Sequence, residues 1–261
     1  MNTTAPQLQN ALVQLLFALA DDKLLLGHRN SDWTGLGPIL EEDIAFSHLA
    51  QDEIAHAQAI YEFIASMTAG NADDLAFNRT PAQFRSAHIV EVPDEFDWAT
   101  AMARKFFCDH FDLLRLNRLA KSSNPDLAAL ASRIASEETL HVEHVDQWIV
   151  RLGRSTPEAR KRLQRALDAL APLAVALWEP VENEQQLVTA NLYPQSTDLS
   201  FESWAAKLQH VMKTANLKLT LPPRASALKS KAGRAGVHTS HLAPLLNEMC
   251  EVRRADPGAK W

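Results

Sequence analysis

Between positions 39 and 69 the sequence runs for 31 residues without one glycine or proline. At about 1.5 Å per residue, such a run makes a helix of about 46 Å. A stretch of that length with no helix breaker commits the chain to long helices and leaves little room for a sheet. Composition agrees, since 40 Ala and 36 Leu stand against 8 Gly.

The other long patterns give these helices an order. From 7 to about 29, Leu8, Leu12, Leu15, Leu19, Asp22 and Leu26 recur at steps of three and four, so a carboxylate shares an apolar stripe. Turn chemistry at 30–38 (Asp32, Gly35, Gly37, Pro38) precedes the helix over 39–69, and Gly70-Asn71 supplies its stop. Residues 72–93 are rich in Asn, Asp and Pro and form a long connection. Helical patterning returns at 94 with Phe96, Ala99, Met102, Ala103, Phe106 and Phe107, and reaches about 121. A short loop, Ser-Ser-Asn-Pro at 122–125, leads into a fourth long helix over 126 to about 153. Short loop, long crossover and short loop are the connectivity of a ferritin-like four-helix bundle. The expectation is one all-α domain over 1–261, with the bundle at about 7–153 and a helical extension at about 154–261. In the extension, the pattern gives a helix over 156–179, bent or divided at Pro172, a less periodic stretch over 184–199, and further helices over 200–216 and 238–254. Residues 218–237 read as an extended or mobile segment.

Several function classes drop out. The formal net charge is −6, with no basic block outside the C-terminal part, so nucleic acid is not expected as a partner. No run of 18 apolar residues and no leader pattern is present, which predicts a cytoplasmic chain with no membrane partner. Cys108 and Cys250 are isolated and read as buried thiols in a reducing compartment. There is no Ser-His-Asp order, no glycine-rich phosphate loop and no Cys-x-x-Cys.

The chemistry-bearing residues sit mid-helix. Glu53 and His56 lie three apart in the second long helix, and Glu138 and His141 three apart in the fourth, so each pair projects from one face. Asp22 and Asp109 precede these pairs by 31 and 29 residues, which makes a weak internal repeat of carboxylate then Glu-x-x-His. Two such units form the carboxylate-rich cage of di-iron bundle proteins, so Asp22, Glu53, His56, Asp109, Glu138 and His141 are the predicted metal ligands. Helix phase leaves Asp21 open against Asp22, and Asp112 against Asp109. Exposed glutamates and hydrogen-bonded histidines would explain the same pairs without a metal. His28, His48, His88 and His110 have no partner at ligand spacing and read as packing or surface residues. The stretch 233–241 suits a solvated or partner-facing loop, or contact with an anion such as the phosphates of a coenzyme. Six Trp, at 33, 98, 148, 178, 204 and 261, offer anchors to the core or to a neighbouring subunit.

Short blocks over almost the whole sequence then meet a known family. They are Leu-Leu-Leu-Gly-His-Arg at 24–29 leading through Trp33 to Pro-Ile-Leu-Glu-Glu-Asp-Ile-Ala at 38–45, Asp-Leu-Ala-Phe at 74–77, and Gly-Val-His-Thr-Ser-His-Leu at 236–242 with Pro-Leu-Leu at 244–246 and Glu248-Met249. In these blocks the chain resembles the PaaC family, a subunit family of the ring-epoxidising phenylacetyl-CoA monooxygenase of bacterial phenylacetic acid catabolism. The resemblance implies a ferritin-like structural subunit in a hetero-oligomer, paired with a homologous catalytic di-iron subunit. That catalytic subunit activates O2 and converts the aromatic ring of phenylacetyl-CoA to an epoxide, while other subunits bring electrons from NADPH. In familiar members of the structural subunit the metal-ligand positions are largely lost, whereas here Glu53, His56, Glu138 and His141 all stand. Two readings follow: a non-catalytic scaffold whose ligand set has become a buried hydrogen-bonded network, or an iron-loaded protein with oxygenase or oxidase chemistry. A ferritin-like iron store is a third, against which the C-terminal extension and the family blocks speak.

Overall fold

A computed structural model describes residues 5–228 and 232–256, and among these every regular element is helical. In chain order the helices are α1 (Ala5–Ser31), α2 (Leu40–Thr68), α3 (Ala72–Phe77), α4 (His88–Glu91), α5 (Trp98–Leu119), α6 (Pro125–Gly153), α7 (Pro157–Ala176), α8 (Glu184–Thr189), α9 (Phe201–Ala215), α10 (Arg224–Ala227), α11 (Leu242–Met249) and α12 (Glu251–Ala255). The fold is all-α with ferritin-like connectivity. A short loop joins α1 to α2, a long connection joins α2 to α5, and a short loop joins α5 to α6.

Local chemistry sets the ends. Asn124 accepts from the N–H groups of Asp126 and Leu127 at 3.1 Å each, and Pro125 opens α6 from its first turn. α5 starts at Trp98, four residues after the predicted start at 94. Glu95 and Phe96 both take positive φ (53° and 54°), a conformation that no helix continues, and Asp97 then caps by accepting from the Ala99 N–H. Pro172 does not divide α7, which runs through it. The long connection holds α3, a 3₁₀ turn at Pro81–Gln83 and α4. The segment 218–237 carries α10 and a 3₁₀ turn at Gly233–Ala235, and the last predicted helix begins at Leu242 and is divided at Cys250.

The chain forms two compact units, each drawn from two stretches: Met1–Leu15 with Asp94–Lys231, and Leu16–Pro93 with Ala232–Trp261. In the first unit α5 packs against α6, α7 and α9. Trp98 meets Trp148 edge-on at 5.3 Å, and Trp178 lies against Phe111, Phe201 and Trp204 at 5.1–6.0 Å. Truncating a fully buried ring such as Trp204 to alanine costs about 3–5 kcal/mol. Gly153 ends α6 against the Ala215 carbonyl, where a Cβ would stand 2.4 Å from the oxygen.

In the second unit α2 buries Phe46, Leu49, Glu53, His56, Ile60 and Ile64 on one face and packs on α3. The stretch after Ala232 lies tightly on the long connection: a Cβ on Gly233 would fall 1.7 Å from the Ser86 carbonyl oxygen, and Gly236 takes φ +79° beside the Ala82 carbonyl. Trp33, Trp148, Trp178 and Trp204 are buried inside the chain, and Trp261 lies outside the described residues. No described helix is long and apolar enough to cross a membrane.

Candidate metal centre

In the first unit, α5 and α6 bring three of the predicted ligands together. Glu138 and His141 continue the buried stripe Leu127, Ala131, Ile134, Ala135, and Asp109 comes from α5. All three are 0% exposed, and each offers a ligand atom within 4.8 Å of the others. His141 Nδ1 lies 3.7 Å from Glu138 Oε2. Two carboxylates and an imidazole are donors that can hold a metal ion. The trio also has a cation of its own: Lys105, one turn before Asp109, places Nζ 2.8 Å from Asp109 Oδ2 with neither side chain exposed.

The second unit holds a buried carboxylate–ammonium pair of its own. Glu53 is fully buried on α2, and the Lys23 ammonium from α1 lies 2.7 Å from its Oε2. Gly27 lets the two helices approach here, since a Cβ at that position would stand 3.0 Å from the Glu53 Cβ and 2.8 Å from Ile54. His56 sits one turn further along α2, also buried.

The two aspartates before Lys23 turn to other partners. Asp22 accepts from the Arg234 guanidinium at 2.8 and 2.7 Å and from the Ala87 N–H at 2.8 Å. Asp21 accepts from the Tyr61 hydroxyl and the Arg85 N–H, both at 2.6 Å, and from Arg79 at 3.1 Å. Burial, and the Asp21 charge after it, push the Tyr61 phenol well above its ordinary value. Burial disfavours the Arg79 charge, but Asp21 outweighs it and raises the guanidinium's affinity for its proton. In α5, Asp112 pairs with Arg115 at 2.5 Å while Asp109 joins the trio.

Residues 1–261 match the family PaaA_PaaC, phenylacetic acid catabolic protein. The chain belongs to this family. It is 29% identical over 253 residues to the C subunit of the 1,2-phenylacetyl-CoA epoxidase of Escherichia coli K12, covering 97% of this chain and the whole of that relative.

In this family member the block after 232 meets anions of the chain itself. Arg234 is buried and, besides Asp22, donates to the Ala18 and Arg85 carbonyls at 3.1 and 2.6 Å. His238 Nδ1 lies 2.6 Å from Glu91, which also accepts from the Thr239 N–H and O–H at 2.8 Å each and from the Ser86 hydroxyl at 3.0 Å. Burial alone would raise the Glu91 carboxyl, yet the hydrogen bonds from His238 and Thr239 prevail and hold it below its ordinary value. Arg234 and His238 are therefore committed to Asp22 and Glu91.

Two single histidines also find partners that spacing hid: His110 meets Asp146 at 2.8 Å, and His88 meets the Val237 carbonyl at 2.7 Å. His28 lies with Asp32 and exposed Glu248, with ligand atoms within 4.8 Å of one another. Cys108 and Cys250 are buried free thiols. Sequence reasoning missed Lys23, Lys105 and Arg234. A signal existed for the lysines: each is the sole lysine of its helix and stands in a largely apolar run.

Proposed function

We propose that this chain is the structural, partner-binding subunit of a cytoplasmic ring 1,2-phenylacetyl-CoA epoxidase, pairing with a homologous catalytic di-iron subunit. The observation that carries the reading is the match to the Escherichia coli epoxidase subunit over that relative's whole length. The buried charges support it. A di-iron centre in a four-helix bundle draws on four carboxylates and two imidazoles to balance two multivalent cations. Three of the four predicted carboxylates are instead matched by cations of the chain: Asp22 by Arg234, Glu53 by Lys23 and Asp109 by Lys105. This donor set does not fit a pair of irons, so no oxygen chemistry is assigned to it.

The competing reading, an iron-loaded oxygenase or oxidase, draws on the burial of Asp109, Glu138 and His141 together. Co-expression with the homologous catalytic subunit tests the first reading. The expected result is co-purification, together with no epoxidation of phenylacetyl-CoA by this chain alone when an electron donor is supplied. Turnover by the isolated chain overturns it. Iron content separates the two readings further. Anaerobic Fe(II) reconstitution is expected to leave less than about a tenth of an equivalent bound, whereas roughly two irons per chain, lost in Glu138→Ala, would establish the competitor.

A further inference from the structure

We propose that Lys105 is the built-in cation of a latent divalent-metal site formed by Asp109, Glu138 and His141, and that its ammonium keeps this trio closed to metal. The inference rests on the reading of the chain as a metal-free subunit.

The donors are of the right kind. Carboxylate and imidazole ligands hold Zn²⁺, Fe²⁺, Co²⁺ or Mn²⁺, with bonds of about 2.0–2.2 Å, so two ligand atoms on one ion stand at most about 4.4 Å apart. Separations within 4.8 Å leave only a small closure to make. Charge decides against it. The Lys105 ammonium already stands 2.8 Å from Asp109 Oδ2 with neither side chain exposed, so a divalent ion would have to displace a buried cation from one of its ligands. Removing that ammonium takes a cation from a buried carboxylate, a loss that is costly and that a bound divalent ion would make good.

A second pair shows the same design. Lys23 meets Glu53 at 2.7 Å, again with neither side chain exposed, in the other half of the internal repeat. In each half an ammonium stands on one of the two carboxylates that the repeat assigns to metal, the glutamate of Glu-x-x-His in one and the preceding aspartate in the other.

Full-length variants test the proposal with Co²⁺ as the probe. All carry His28→Ala, so that the surface grouping of His28, Asp32 and Glu248 does not contribute. The protein with Lys105 intact and Lys105→Arg are expected to bind no Co²⁺ in equilibrium dialysis. Lys105→Met is expected to bind one equivalent, to show the visible absorption of a nitrogen- and oxygen-ligated Co²⁺, and to regain on adding Co²⁺ the thermal midpoint it loses without it. Adding His141→Ala removes all three effects. If Lys105→Met folds only with Co²⁺ present, that supports the proposal, and Lys105→Gln provides a second uncharged variant. Uncharged variants that fold and bind no Co²⁺ overturn it, as does equal Co²⁺ binding with Lys105 intact. Iron loading of the unaltered chain would strike the subunit reading. Metal-free behaviour of both the unaltered chain and Lys105→Met would strike this inference alone.

Discussion

A lysine with no exposed surface keeps its charge only where an anion is close enough to hold it, and Lys23 has Glu53 at 2.7 Å. Removing one member strands the other. Glu53→Ala is expected to cost about 3–5 kcal/mol in urea unfolding. The double variant Lys23→Met/Glu53→Leu should recover most of that loss, because it removes both charges and fills the space with apolar groups. A double variant as unstable as the single one would show that the pair is not what Glu53 contributes. Glu53 and His56 were readable as inward-facing residues because a three-residue step on a helix gives one face. Lys23 carried a signal for burial, as the sole lysine of its helix, but nothing local marks which anion it will meet.

Consecutive residues on one helix point about 100° apart, and α1 uses this at Asp21, Asp22 and Lys23, which go to Tyr61 and Arg79, to Arg234, and to Glu53. The stripe of leucines identified the buried side of α1 but could not rank three adjacent polar residues, since nearly the whole helix turn is covered. The Asn124 cap of α6 and the Thr156 cap of α7 were legible because capping is local, whereas α2 ends beside the predicted Gly70 but on Ala69, at φ 54°. The delayed start of α5 was not, since it depends on two residues held at positive φ. The segment at 232–241 lies close on the long connection. Gly233→Ala would press a methyl group into the Ser86 carbonyl, a backbone atom that cannot rotate away. The expected outcome is a loss of roughly 2–4 kcal/mol, with hydrogen exchange and proteolysis accelerated at 232–241. An unchanged exchange profile would rule out that tight seating.

Across the whole molecule, pH sensitivity follows from the same buried pairs. In the folded chain Glu91 is held below its ordinary carboxyl value, which in the unfolded chain is about 4.3. The unfolded state therefore takes up this proton first as pH falls. The contribution of Glu91 is complete above the ordinary carboxylate range and is lost below about pH 4.3, as pH falls through the lowered folded value. Thermal midpoints measured from pH 7 to pH 3 should fall more steeply for the unaltered protein than for Glu91→Gln; identical slopes would contradict this account. Helical periodicity, local capping and residue blocks were enough to read the all-α class, the ferritin-like order of long helices, the inward-facing Glu-x-x-His pairs and the family. What the buried carboxylates bind is set by long-range packing. The partners of Glu53 and Asp22 lie 30 and 212 residues away. That choice depends on how each helix is rotated and on where the segment after 232 comes to rest, and neither is written in a local pattern.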